Sequence, residues 1–245
     1  MTDYLFFRLY GPMASWGSIA VGETRHSEDR PSKSAVLGLI GAALGVRREE
    51  EEKQQKLARG YGFAVRVENR GNPMTDYHTA QVPSSTARRK NIGYPTRRAE
   101  ITSLQREDLK TIISRRDYLT DALAFPVLWE SGVASYALKE IEKALNRPNF
   151  LLYLGRKSCP LALPMEAQIK KGNSLQEAFL KVEFREIEEM PSLQSGEEVS
   201  WYWERSKEAG MEEQHVYKRY DVPLSKRGWR FDYREEAYTS IKKEG

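Results

Sequence analysis

YLFFRLY (residues 4–10) is a dense run of β-forming residues, and a Gly-Pro pair ends it. Because alternate side chains of a strand point to opposite faces, Leu5, Phe7 and Leu9 share one apolar face. The stretch therefore predicts the first strand of a sheet with one strongly apolar side. The fold class depends on the elements that follow it.

A buried helix is predicted next. PSKS (residues 31–34) supplies hydroxyl side chains that cap a helix start, and AVLGLIGAAL (residues 35–44) continues it with small residues that allow close packing. The amides and dipole of a helix N-terminus favour an anion. Lys33 and Ser34 are therefore candidate phosphate contacts, although a purely structural cap fits these residues equally well.

The remaining elements alternate between strands and helices. We expect extended segments at 61–67, 74–82 and 123–129, an amphipathic helix at 135–144 and a short buried strand at 150–152. Pro126 cannot donate to a sheet ladder, so the strand that contains it is expected at a sheet edge. The order predicts an α+β fold with a ferredoxin-like (RRM/RAMP-like) βαββαβ module.

Two regions are expected in the chain. Residues 1–164 form the ferredoxin-like domain, and residues 165–245 form a small C-terminal β-rich appendage. In the appendage, partly alternating aromatic segments at 201–203, 215–220 and 229–233 indicate short strands.

A basic arm interrupts the predicted domain. Residues 83–105 have no regular apolar period, and their cations are interleaved with Tyr94. This pattern suits a mobile arm that follows a nucleic-acid backbone, and a loop that packs on a partner is the alternative. The cations are Arg88, Arg89, Lys90, Arg97 and Arg98.

The loop YLGRKSCP (residues 153–160) is a second candidate for phosphate contact. Gly155 allows close approach of the backbone, and Arg156, Lys157 and Ser158 supply donors for an oxyanion. The upstream glycine of a nucleotide-binding P-loop is missing, so the loop does not match that motif. An ordinary surface turn with two solvated cations is the alternative.

Composition excludes several classes of site. The net charge of +4 and the pI of about 9.0 allow a polyanionic partner without demanding one. One cysteine and three dispersed histidines do not form a disulfide, a thiolate cluster or a histidine-rich metal site, so we expect no metal and no cofactor. We also expect a cytoplasmic protein with no membrane association, because no signal peptide and no long apolar window is present.

Several ordered segments form a specific set over about the first two thirds of the chain. They are LYGPM (9–13), WG (16–17), PSKS (31–34), LGLIGAALG (37–45), DYHT (76–79), RDYLTDA (116–122) and YLGRKSCPL (153–161). As a set they resemble the RAMP-superfamily CRISPR-associated proteins, in particular the CasD-type subunits of type I-E Cascade surveillance complexes.

The resemblance implies a non-catalytic role in antiviral defence. Members of this family cap one end of the complex by gripping the 5′ handle of the CRISPR RNA, and an extended thumb packs on the neighbouring backbone subunit. In this chain the thumb corresponds to about 82–108. The other partners it implies are the large subunit and target DNA near the PAM.

We expect two basic segments to converge on the RNA. The first-rank contacts are Lys33, Ser34, Arg156, Lys157 and Ser158, and the second-rank contacts are Arg25, Tyr77, His78, Arg115 and Arg116.

A related branch of the same superfamily consists of processing nucleases, so a metal-independent endoribonuclease that cuts CRISPR repeat RNA is the rival hypothesis. His78 beside Tyr77 would then act as general acid or base, with Lys33 or Lys157 stabilising the oxyanion. A third possibility is a structural scaffold that makes no direct contact with RNA.

Overall fold

The structure is a computed structural model that describes residues 1–18, 22–89, 93–184, 198–205, 209–225, 228 and 230–242. Its helices are α1 (Lys33–Ala43), α2 (Glu51–Gly60), α3 (Ser85–Arg89), α4 (Arg97–Ser103), α5 (Leu138–Asn146) and α6 (Leu175–Phe179). None of these described helices is long and apolar enough to span a membrane.

The strands of these ranges are β1 (Thr2–Phe6), β2 (Leu9–Tyr10), β3 (Met13–Ala14), β4 (Trp16–Gly17), β5 (Thr24–Arg25), β6 (Ser27–Glu28), β7 (Tyr61–Asn69), β8 (Asn72–Pro83), β9 (Leu109–Thr120), β10 (Leu123–Glu130), β11 (Gln168–Gly172), β12 (Glu198–Glu204), β13 (His215–Ser225) and β14 (Arg230–Lys242).

The main sheet has the order β11-β1-β10-β7-β12-β14-β13, with β2 also paired to β10, and its neighbouring strands run antiparallel. The predicted combination of helices with a β-sheet is therefore confirmed, and the sheet is antiparallel. A second sheet contains β8, β9, β3 and β5.

Both faces of the main sheet are buried around β1. Leu5, Phe7 and Leu9 lie in one core cluster with residues of α1 and α5, which confirms the shared face predicted for them. Tyr4 and Phe6 lie in a cluster on the opposite face with side chains of β12 and α6. The first strand is therefore central to the fold, because it contributes to the core on both sides.

The predicted edge position of 123–129 is wrong. β10 lies inside the sheet, between β7 on one side and β1 and β2 on the other. Pro126 is tolerated because its carbonyl accepts a hydrogen bond from the Phe7 amide at 3.3 Å, where β1 has ended and β2 has not begun. In an antiparallel strand the N–H and C=O of a residue point to the same side, so the missing donor faces this break.

The predicted strand at 150–152 is also wrong. Leu151 is 86% exposed, and the strand that completes this part of the sheet is β11, which pairs with β1. Residues 147–167 instead form a loop, and the amide of Asn149 donates to the Ala43 carbonyl at 2.9 Å. Three prolines remove backbone donors from the segment 148–164, which disfavours a paired strand there.

A long hairpin projects from the fold between β7 and β10. Residues 72–83 pair with residues 109–120 in continuous register, from Asn72 opposite Thr120 to Pro83 opposite Leu109. The extended segment predicted at 74–82 is therefore confirmed, whereas its partner strand was not predicted.

The region predicted as an irregular basic arm contains two short helices. α3 and α4 lie within 83–105, so the prediction of an irregular segment there is corrected. Thr96 caps α4 by accepting a hydrogen bond from the Ala99 amide at 3.1 Å. Lys90 lies outside the described residues.

The C-terminal strands extend the main sheet. β12 pairs with β7, β14 pairs with β12, and β13 pairs with β14. These strands contain the aromatic segments predicted as short strands, except that Trp229 lies outside the described residues. Strands from before and after residue 164 therefore pair in one sheet.

A buried ion-pair network joins the C-terminal strands to the start of α1. The Glu236 carboxylate contacts Arg30, Arg219 and Arg234, and Asp221 accepts hydrogen bonds from Arg234 at 2.7 and 3.0 Å. Burial by itself raises the pKa of Glu236, but the three guanidinium groups outweigh it and hold that pKa below its usual value. The carboxylate is therefore charged in the folded protein.

We predict that Glu236→Gln lowers the free energy of unfolding by about 3 kcal/mol, because three buried arginines lose a compensating charge. Urea denaturation of the full chain measures the change. Glu52→Gln is the matched control, since the Glu52 carboxylate forms its 2.7 Å ion pair with Lys56 in solvent. Equal unfolding midpoints for the Glu236 variant and the control would contradict a stabilising role for the network.

Candidate nucleic-acid interface at the hairpin base

The candidate interface lies where the hairpin joins the body of the protein. There β5 runs parallel to β9, with Thr24 in register with Arg115 and Arg25 in register with Arg116. The Arg115 amide donates to the Glu23 carbonyl at 3.0 Å and extends this contact. The hairpin base is therefore a three-stranded platform of β8, β9 and β5.

The alternation of side chains divides the predicted site residues between two faces. Arg116 lies directly opposite Asp76 on β8 and in register with Arg25 on β5, so these three residues share one face. His78 also lies on this face, because it is two residues from Asp76 and contacts the Asp76 carboxylate. We call this side of the platform the arginine face.

Tyr77 and Arg115 lie on the other side of the platform. They are directly opposite each other in the register, and the Arg115 guanidinium is 5.8 Å from the centre of the Tyr77 ring. The Tyr77 ring is also 54% exposed. The pair therefore forms a second exposed aromatic and cationic group, but it points away from the arginine face.

The loop 153–160 joins the arginine face. Nη2 of Arg156 donates to the Arg25 carbonyl at 3.2 Å, and its guanidinium lies 4.7 Å above the Tyr118 ring. Tyr118 is two residues from Arg116 in β9, so the two side chains lie on the same side of the strand. Arg156, which packs on Tyr118, therefore lies on the arginine face. Three predicted cations, Arg25, Arg116 and Arg156, are thus brought together, and the exposed Lys157 and Ser158 follow Arg156 directly.

Backbone contacts fix the position of this loop. The Ser15 amide donates to the Leu154 carbonyl at 3.0 Å, and the Leu154 amide donates to the Cys159 carbonyl at 2.8 Å. Gly155 has φ +85°, and a Cβ atom there would lie 1.8 Å from the Ser15 carbonyl oxygen. Only glycine fits this position, so the loop is held tightly against the segment before β4.

The carboxylates near Arg116 contact other side chains. Asp117 lies on the opposite face, where Thr75 donates to it at 2.8 Å and His26 contacts it at 2.9 Å. The Thr75 hydrogen bond has the largest effect and lowers the pKa of Asp117, burial opposes it, and the His26 contact lowers the pKa further, so that it lies below its usual value. Among the described residues, no carboxylate lies within ion-pair distance of the Arg116 side chain.

Lys33 and Ser34 do not join the hairpin base. Lys33 is buried, its ammonium donates to Glu204 at 2.7 Å, and its backbone amide donates to Asp221 at 2.8 Å. The Ser34 hydroxyl contacts Ser32, which is the N-cap residue of α1. An anion does occupy the helix start, as the sequence suggests, but it is a carboxylate of the protein's own C-terminal strands. The expected convergence of the two basic segments is therefore corrected.

The three residues of the nuclease hypothesis are not assembled into one site. His78 and Tyr77 point to opposite faces of the hairpin, and the Lys33 ammonium is paired with Glu204. His78 retains a carboxylate neighbour, Asp76. A histidine–carboxylate pair is thus present on the arginine face without the predicted tyrosine and lysine.

The described residues among the predicted thumb cations lie at the far end of the hairpin. Arg88 and Arg89 belong to α3, and Arg97 and Arg98 belong to α4. The Arg97 side chain contacts Glu100 and donates to the Gln81 carbonyl at 3.3 Å. These residues are therefore separated along the ribbon from the arginine face.

Sequence reasoning missed the part that β9 plays in the site. Tyr118 supports Arg156, and Asp117 connects His26 with Thr75, but residues 109–120 show no clear apolar alternation. The useful signal was the extended segment at 74–82, because such a strand requires a partner.

Comparisons with known proteins agree on one family. The family described as CRISPR-associated protein (Cas_Cas5) matches residues 4–237. The chain is 34% identical over 191 residues to the CRISPR system Cascade subunit CasD of Escherichia coli (strain K12), covering 75% of this chain and 78% of that protein.

Two solved structures share the fold. A chain described as a CRISPR RNA-guided surveillance complex has a TM-score of 0.64 and 22% identity, covering 98% of this chain and 90% of that chain. A second, described as a crystal structure of a Cas protein, has a TM-score of 0.59 and 24% identity, covering 98% of this chain and 95% of that chain.

We predict that Gly155→Ala releases the loop 153–160 from the body. Positive φ costs a non-glycine residue about 1–2 kcal/mol, and the clash with the Ser15 carbonyl adds to that cost. Trypsin should cleave after Arg156 and Lys157 faster in the variant. Gly17→Ala is the matched control, because a Cβ atom at Gly17 meets nothing within 4 Å. Equal cleavage rates in both variants would contradict a fixed loop.

Proposed function

This chain is a member of the CRISPR-associated Cas5 family, and from that premise we propose that it is a non-catalytic RNA-binding subunit of a Cascade-type surveillance complex. In this proposal it grips the 5′ handle of the CRISPR RNA and caps the backbone filament. The observation that carries the proposal is the arginine face, where Arg25, Arg116 and Arg156 converge beside exposed donors of the loop 153–160.

The chemistry of the arginine face suits single-stranded RNA. Arginine contacts phosphate oxygens with a planar fork of donors, and its plane can also stack on a base. The Arg156 side chain is only partly exposed, and its Nη1 atom is buried without a hydrogen-bond partner among the described residues. Lys157 and Ser158 add donors that an RNA backbone passing the loop can contact.

The hairpin is the proposed contact with the neighbouring backbone subunit. Its two twelve-residue strands carry α3 and α4 away from the main sheet. We assign the thumb to this hairpin, with the residues 82–108 at its end. The large subunit and target DNA near the PAM are further proposed partners, and the cytoplasm is the proposed compartment.

We also infer that the ferredoxin-like module consists of β1, α1, β7, β10, α5 and β11. In the sheet these strands have the order β11-β1-β10-β7, with antiparallel neighbours. Numbered along the module, this is the order 4-1-3-2. The hairpin is then an insertion between the second and third strands of the module.

An endoribonuclease that cuts the CRISPR repeat is the second candidate. The observation that favours it is the contact of His78 with Asp76 on the same face as Arg116. A histidine oriented by a carboxylate can serve as a general base for a 2′-hydroxyl. The separation of His78 from Tyr77 and Lys33 favours the binding role.

We predict that Arg116→Ala combined with Arg156→Ala weakens binding of repeat-derived 5′-handle RNA by about tenfold for each arginine. A hydrogen bond to a charged group contributes about 1.5–3 kcal/mol. The dependence of log affinity on log salt should fall by about 0.7 for each lost phosphate contact. Fluorescence anisotropy of the labelled RNA measures both quantities.

The matched control is Lys56→Ala combined with Lys139→Ala, which removes the same charge from α2 and α5. Affinity and salt dependence that match wild type in the arginine variant would support the scaffold hypothesis instead. Cleavage of the labelled RNA in EDTA that His78→Ala abolishes would overturn the non-catalytic role.

A further inference from the structure

The C-terminal ribbon of β13 and β14 carries exposed aromatic side chains that the arginine face does not use. Tyr220 lies directly opposite Tyr233, and Lys218 lies opposite Glu235, so these side chains share one side of the ribbon. We call this side the tyrosine face. We propose that the tyrosine face binds single-stranded nucleic acid by base stacking, as a second site separate from the hairpin base.

The two tyrosine rings are available for stacking. Tyr220 is 63% exposed and Tyr233 is 50% exposed, and their ring centroids are 5.9 Å apart with an interplanar angle of 54°. Because the rings are tilted, they do not stack on each other. Each ring therefore presents an aromatic surface to solvent, and large exposed aromatic side chains in close proximity indicate a binding surface.

A cation accompanies the rings. Nζ of Lys218 is 5.3 Å from the centre of the Tyr233 ring. The Glu235 carboxylate opposite Lys218 lies 3.5 Å from Arg205 instead, and no carboxylate of a described residue lies within ion-pair distance of Lys218. The ammonium is thus free to contact a phosphate beside a base that stacks on the tyrosines.

The opposite side of the ribbon fixes the tyrosine face in place. Arg219 and Arg234 alternate with the tyrosine-face residues and point into the buried network around Glu236. A one-residue slip of the register would bring these charges to the surface and bury the tyrosines. The rings are therefore preorganised, which lowers the entropic cost of binding.

This combination fits nucleic acid better than a protein partner. Stacking on aromatic rings with a neighbouring cation is the usual chemistry of sequence-tolerant binding to single strands. The centre of a protein interface is usually depleted of charged residues, whereas here Lys218 lies directly over a ring. The charge and the aromatic surface together favour a polyanion with exposed bases.

The experiment uses the full chain carrying Arg116→Ala and Arg156→Ala, so that the hairpin base does not dominate binding. The probe is a twelve-nucleotide single strand with 5-iodouracil and no handle sequence. On irradiation we expect cross-links to peptides that contain Tyr220 and Tyr233. Tyr220→Ala with Tyr233→Ala should weaken binding at least tenfold, since each stacked base contributes about 1–3 kcal/mol.

The matched control is Tyr220→Phe with Tyr233→Phe, which keeps the rings and should keep affinity close to that of the parent chain. Lys218→Ala should lower the slope of log affinity against log salt by about 0.7, as expected for the loss of one phosphate contact. Urea denaturation checks that the alanine variant is folded. Absence of cross-links at the ribbon would overturn the proposal. Equal affinity of the alanine and phenylalanine variants for the strand would also overturn it. Both results are expected if this face binds only a protein.

Discussion

The buried carboxylates of Asp221 and Glu236 determine which cations of this chain can meet an external anion. They contact Arg219, Arg234 and Arg30 and accept a hydrogen bond from the first turn of α1, so several basic groups are neutralised inside the protein. Removing one partner from such a network leaves an uncompensated buried charge, which is costly. A net charge of +4 therefore does not indicate where a polyanion binds.

The same network sets the geometry of the C-terminal strands. Because β13 and β14 point alternate side chains into it, their other side is held outward, and β14 is at the same time paired to β12 in the main sheet. At the hairpin, β5 and the loop 153–160 hold the base in place. The proposed binding surfaces thus lie on elements whose positions are fixed by backbone pairing or buried charge, as preorganised recognition requires.

Local sequence patterns predicted the features that depend only on residues close together in the sequence. The alternation of Leu5, Phe7 and Leu9, and the cap at Ser32, follow from strand geometry and helix capping alone. The strand that contains Pro126 was wrongly predicted at a sheet edge. The sheet tolerates this proline because a neighbouring strand is interrupted opposite it, which is a tertiary feature. The buried position of Lys33 was not predicted, because its partners, Glu204 and Asp221, lie far away in the sequence.

Hydrogen–deuterium exchange of the full chain, with and without repeat-derived 5′-handle RNA, tests the central claim most directly. If the arginine face holds the RNA, exchange should slow in peptides that cover 22–28, 114–118 and 153–160. Unchanged exchange in these peptides, with slowing only at 31–36 and in the C-terminal strands, would contradict the account and place the RNA at the start of α1.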